Sequence, residues 1–200
     1  MNGTPSKITK VIFFISFLAL IDNQCLAFDY KGLHWNNRIV SFYLWNPPSA
    51  AVIQAHNKSA ATWNNAGANF YFLPESTTSN IPGVRDFKNV IGGANDPYFQ
   101  ENPDAAAFTR CWPTSVGSTI WSECDTVMNM NDPISTSGDP NAYDLESISV
   151  HEFGHWLRLG DLYSTGVPGN VMFWSLSLGE IRRILDIDSR NGIIHIYGPR

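Results

Sequence analysis

The sequence predicts a single domain in which β-strands and α-helices are mixed, lying behind a removable leader. Three observations carry this. Short β-branched and aromatic runs alternate with segments of helical periodicity. No repeat, low-complexity tract or Pro/Gly-rich linker divides the chain. The 200 residues are 44% apolar and only 16% charged, which is the composition of one folded domain of ordinary size. An aromatic content of 13% excludes a disordered chain. The formal charge of −5 leaves no basic surplus for phosphates, which excludes a nucleic-acid-binding protein. No apolar run approaches the ~20 residues of a bilayer span.

Residues 1–27 read as the leader. Lys7 and Lys10 precede or open an apolar run over residues 11–20, followed by Asp22-Asn23-Gln24 and Cys25-Leu26-Ala27. A positive end, an apolar centre and small residues at the cut are the anatomy of a secretory signal peptide. Cleavage is expected after Ala27, giving a secreted domain over residues 28–200 with no membrane anchor. Of the 3 cysteines, Cys25 leaves with the leader, and Cys111 and Cys124 remain. An oxidising compartment lets such a pair persist as a disulfide, whose closure would stabilise by ~3 kcal/mol. The alternatives are two unpaired thiols or a two-cysteine zinc site, the latter lacking a Cys-x-x-Cys repeat.

Residues 38–44 (RIVSFYL) read as a strand. Pro47-Pro48-Ser49 then opens a helix with Ser49 as its cap. Val52, Ile53, His56, Ala60 and Trp63 recur at helical spacing, and Gly67 stops it. Residues 69–73 (NFYFL) are a second strand, 89–91 and 105–109 weaker ones, and 124–130 (CDTVMNM) a further one. Pro133, Gly138 and Pro140 make residues 131–143 a loop. Asp144 then caps a helix whose buried face carries Leu145, Ile148, Phe153, Trp156 and Leu157.

That helix carries His151-Glu152-Phe153-Gly154-His155. Two histidines four apart lie on one helix face, so both imidazoles reach a single ion. Zinc suits such ligands, and Glu152 is placed to receive a proton from zinc-polarised water. The pattern also occurs in helices with two ordinary histidines and a solvated glutamate.

The continuation removes part of that ambiguity. Asp161 stands ten residues after His151, and Asn170-Val171-Met172 comes later. Here the chain resembles the metzincin metallopeptidases, whose motif is His-Glu-x-x-His-x-x-Gly-x-x-His/Asp with a later methionine-bearing turn. The closing stretch over residues 188–198, with Asn191-Gly192-Ile193 and Tyr197-Gly198, resembles the C-terminal helix of the matrixin branch. Residues 60–64, ending in Trp63-Asn64, and the Phe-rich strand after them are similar to the matrixin order.

The resemblance implies an α+β fold, a matrixin-like catalytic domain with a twisted five-stranded mixed sheet and three helices. It implies one catalytic Zn2+ held by His151, His155 and Asp161, with Glu152 as general base and Met172 as the turn methionine. Residues 117–131 resemble the edge strand against which a polypeptide substrate lies, near residues 125–129. Phe173 and Trp174 are candidates for the wall of a specificity pocket. A polypeptide substrate is the expected partner, and the chain is read as a monomer. No calcium site is readable, because Asp132, Asp139 and Asp144 are scattered without a ligand register.

Three departures stand out. Arg158 occupies the position where relatives turn on glycine, so it must either adopt a left-handed conformation at a cost of ~1–2 kcal/mol or shift the turn, for which Gly160 offers a place. The third ligand is aspartate, where most matrixins have histidine. No propeptide with an inhibitory cysteine fits between Ala27 and the first strand. Two rival readings remain open: a thermolysin-like peptidase using Glu180 as third ligand, and a secreted binding module with a metzincin fold and a disabled site. His34, His56 and His195 have no second ligand at metal-like spacing.

Overall fold

Ser49 adopts an extended backbone and its side chain accepts a hydrogen bond from the Val52 amide, which starts the first long helix where the sequence predicts it. Asp144 does the same for the metal-motif helix, accepting from Ser147, and Asp186 for the C-terminal helix, accepting from Ser189. The computed structural model describes residues 9–14, 28–163 and 169–200. In chain order the elements are β1 (Thr9–Phe14), β2 (Ile39–Trp45), α1 (Ala50–Asn64), β3 (Tyr71–Thr78), β4 (Val90–Ala94), α2 (Tyr98–Glu101), β5 (Ala105–Pro113), β6 (Trp121–Asn129), β7 (Ile134–Ser135), β8 (Tyr143–Asp144), α3 (Leu145–Trp156), β9 (Ser175–Ser177) and α4 (Ile187–Tyr197).

The fold is α+β. Five strands in the order β3-β2-β4-β6-β5 form a mixed sheet, parallel except for β5, which runs antiparallel to β6. β1 extends it beyond β5 in parallel, and β9 pairs antiparallel with β1. Among the described residues there are four helices where the resemblance implied three, the addition being the single turn α2. The predicted edge strand is also corrected. Residues 121–129 lie inside the sheet with β4 and β5 on either side, and the antiparallel strand at the margin of the five is β5. The two strands of one hairpin have similar composition, so the chain pattern does not say which faces outward. β3 runs on through Pro74, beyond the predicted end at Leu73. It lies at the other margin, where a residue without an amide proton leaves no ladder bond unmade.

Every residue of α3 is buried, not one face of it. On one side lies α1, whose Trp63 Nε1 donates to Val150 O (2.8 Å) and Ser59 Oγ to Glu146 O (2.9 Å). On the other lies the sheet, with Phe153 against the rings of Phe42 (centroids 5.1 Å) and Phe72 (4.7 Å). The segment around Met172 closes a third side. A helix enclosed in this way keeps its polar groups inside the protein, and they must find partners there. Cys111 and Cys124 face each other across β5 and β6 and form a disulfide, with Cα atoms 4.1 Å apart.

Part of the predicted leader, including the cut after Ala27, falls outside the described residues. Its strand Thr9–Phe14 is described, on the margin of β5. No helix among the described residues is long and apolar enough to cross a membrane.

Candidate metal centre

The helix repeat brings His151 and His155 one turn apart, with ring centroids 4.6 Å from each other. The turn beyond α3 decides whether a third ligand reaches them. The Arg158 amide donates to His155 O (2.9 Å) and the Leu159 amide to Gly154 O (3.0 Å), the paired bonds that end a helix through a left-handed residue. That residue is Arg158, at φ +68°. Of the two outcomes the sequence leaves open, a left-handed Arg158 or a turn shifted to Gly160, the structure has the first, since Gly160 does not have a positive φ. A left-handed arginine costs about 1–2 kcal/mol. Its guanidinium lies over the Trp121 ring (5.4 Å), and the charge of Asp29 favours it. Gly160 serves close approach instead: its amide donates to Asp29 O (2.6 Å), and a Cβ there would lie 2.5 Å from Asp29 Oδ2.

The reversal delivers Asp161. Ligand atoms of His151, His155 and Asp161 all lie within 4.8 Å of one another, and all three residues are buried. Asp161 Oδ1 stands 3.2 Å from His151 Nε2 and 3.6 Å from His155 Nε2. Each imidazole uses its other nitrogen for a backbone carbonyl: His151 Nδ1 donates to Val171 O (2.8 Å) and His155 Nδ1 to Leu159 O (2.8 Å). A neutral ring that donates from Nδ1 presents a lone pair at Nε2. Two lone pairs and a carboxylate oxygen therefore converge, each on a buried atom. His151 Nε2 and Asp161 Oδ1 have no hydrogen-bond partner among the described residues. Such a set repels itself unless a proton or a metal cation lies among its members, and nitrogen and carboxylate donors in threes suit zinc. The residues fit the metal.

Glu152 points into the same region without joining the ligands. Its Oε2 accepts from Thr109 Oγ1 (2.6 Å), while Oε1 is buried with no hydrogen-bond partner among the described residues. Burial raises its carboxyl to about 7, against the lowering influence of His151 and Thr109. Thr109 belongs to a directed chain. Trp156 Nε1 donates to Thr126 Oγ1 (2.9 Å), Thr109 gives its proton to Glu152, and the 2.7 Å contact between the two threonines is therefore donated by Thr126. Burial pushes His155 down to about 4. Asp161 would rise on burial, but the two imidazoles hold it below its ordinary value.

Met172 lies under the site, 2% exposed and packed against the bare α-carbon of Gly154, which leaves no room for a side chain in the motif. Its turn is fixed by Asn170, whose Oδ1 accepts from the Met172 amide (2.8 Å) and whose Nδ2 donates to Asp186 (2.7 Å). Phe173 and Trp174 are half-buried. Trp174 stands against Tyr163 (centroids 6.0 Å), and Arg182 covers Phe173 (5.6 Å). Glu180 is engaged elsewhere, accepting from Arg182 Nε (2.6 Å) and the Ser177 amide (2.9 Å). His195 packs against the rings of Phe28 (5.5 Å) and Tyr30 (6.1 Å).

Thr109, Thr126 and Asp186 are not singled out by the sequence, and Trp156 is anticipated only as a core residue. A threonine in a strand is ordinary, and only the pairing of β5 with β6 beneath α3 gives these two a role.

No family model matches the chain. It is 44% identical over 55 residues to Metalloendoproteinase 5-MMP of Arabidopsis thaliana, a match that spans 28% of this chain and 14% of the plant protein. This partial likeness suggests a matrixin-like family.

Proposed function

We propose that the protein is a secreted, matrixin-like zinc endopeptidase. The observation that carries the reading is the convergence of His151 Nε2, His155 Nε2 and Asp161 Oδ1, beside a glutamate that is held at one oxygen and has no hydrogen-bond partner among the described residues at the other. Zinc bound to these three residues would polarise a carbonyl and lower the pKa of water towards ~7. Glu152 takes the proton of the attacking water at Oε1 and passes it to the leaving amine, while Thr109 fixes Oε2. A carboxyl at about 7 is balanced for taking and giving a proton near neutrality.

The substrate lies as an added strand on the outer margin of β5, held by main-chain hydrogen bonds. That margin already takes an extended segment, since Thr9–Phe14 pairs with β5 along it. Removal of residues 1–27 on export frees it. Phe173 and Trp174 flank the turn methionine and border the substrate side chain that enters there.

A non-catalytic binding module is the reading that Arg158 would favour. The turn at Arg158 nevertheless brings Asp161 to the histidines, and Glu152 is retained. Hydrolysis of casein or a chromogenic peptide, abolished by a zinc chelator and restored by zinc, tests the proposal. Glu152→Gln should bind zinc and lose turnover by several orders of magnitude. Activity indifferent to both the chelator and Glu152→Gln would refute it.

A further inference from the structure

A cavity of about 530 Å³ opens between the C-terminal ends of β2, β4 and β6, the first turns of α1 and the start of α3. It is lined by none of the three candidate metal ligands and not by Glu152. Trp45, Val52, Ile91, Met128 and Leu145 make most of its wall apolar. Gly92 and Gly93 keep its strand side bare: a Cβ on Gly92 would lie 2.9 Å from Trp45 Cβ, and one on Gly93 would strike Met130.

His56 is the polar feature on the α1 side, and it is only 3% exposed. Its protonation follows from its partner. Ser149 Oγ donates its single proton to Leu145 O (2.8 Å), so the 2.9 Å contact between Ser149 Oγ and His56 Nδ1 is an N–H donated by the imidazole. Burial pushes His56 down to about 4, which leaves the ring neutral at physiological pH. Nε2 is then a bare acceptor. It makes no hydrogen bond among the described residues and is not one of the fully enclosed atoms, so the surface it retains faces the cavity its ring helps to line. Asp132 contributes a carboxylate to the wall, which disfavours an anionic occupant.

We propose that this cavity is a binding site for a small, uncharged aromatic molecule whose one N–H or O–H group donates to His56 Nε2. Trp45, Met128 and Met130 supply aromatic and sulfur contacts to a flat ring. The volume falls in the range of small-molecule sites with few, convergent polar groups. The site does not depend on the metal reading, because neither its walls nor its acceptor belong to the metal centre.

Indole and 1-methylindole have nearly the same shape, and only indole has a donor. Calorimetric titration of the purified protein should find one site, with indole bound about tenfold more tightly than 1-methylindole, as one hydrogen bond provides. His56→Phe should remove that preference while retaining weak binding of both. Val52→Trp, at a half-buried wall position, should weaken both by more than about tenfold by filling the space. If His56→Phe does not fold, the ratio of the two ligands in the parent protein decides. Equal affinities in the parent, no binding at millimolar indole, or binding unchanged by Val52→Trp would overturn the site.

Discussion

Thr109 Oγ1 donates to Glu152 Oε2 across 2.6 Å, and so ties strand β5 of the sheet to the central residue of the metal-motif helix. The bond leaves Oε1 as the oxygen without a hydrogen-bond partner among the described residues. A hydrogen bond to a carboxylate favours its charged form, so Thr109 offsets part of the rise that burial imposes on Glu152.

Thr109→Val should therefore raise the Glu152 carboxyl above about 7 and move the acid limb of kcat/KM upward. We expect kcat to fall by about tenfold with KM little changed and zinc content intact. Thr109→Ser should restore both the rate and the pH profile. A purely structural role would lower stability without moving that limb.

His56 sets an acid limit on stability. Its folded value is about 4, below the ordinary 6.5, so the unfolded chain binds the proton more readily. The folded state is therefore most favoured above pH 6.5, and stability declines as pH falls from 6.5 towards 4. The loss amounts to roughly 3 kcal/mol across that window. Urea unfolding at a series of pH values should show a shallower decline for His56→Gln than for the parent.

Arg158 combines an unfavourable φ of +68° with packing over Trp121. Arg158→Gly relieves the first and loses the second, so its stability should stay within about 1 kcal/mol of the parent. Arg158→Ala loses the packing and keeps the strain, and should be about 1–2 kcal/mol less stable than the glycine variant. Chemical unfolding at fixed zinc concentration compares the two.

The disulfide closes the hairpin that forms the margin of the five-stranded sheet. Replacing both Cys111 and Cys124 with alanine should lower stability by about 3 kcal/mol. Reductant should have the same effect on the parent and none on the double variant, as read by melting temperature.

Features that are local in the chain are legible in the sequence. The caps Ser49 and Asp144, the helical spacing of His151 and His155 and the cysteine pair all emerge with the expected partners. The margin assigned to residues 117–131 belongs to β5, because strand order is set by pairing between distant segments. The turn at Arg158 is supported by packing of its side chain over Trp121 and by the charge of Asp29, distant residues that no spacing rule anticipates. The relay from Trp156 through Thr126 and Thr109 to Glu152 needs a helix and two strands in register. The polar character of α3 is visible in the chain, but its burial on all sides arises only when α1, the sheet and the Met172 turn enclose it.

The central claim is that Asp161 completes a zinc site with His151 and His155. The measurement that tests it most directly is the zinc dissociation constant of the parent protein beside those of Asp161→Ala and Glu180→Ala. The account predicts about one zinc per chain in the parent, affinity weakened at least about a hundredfold in Asp161→Ala, and no change in Glu180→Ala. Zinc held as tightly by Asp161→Ala as by the parent would contradict it.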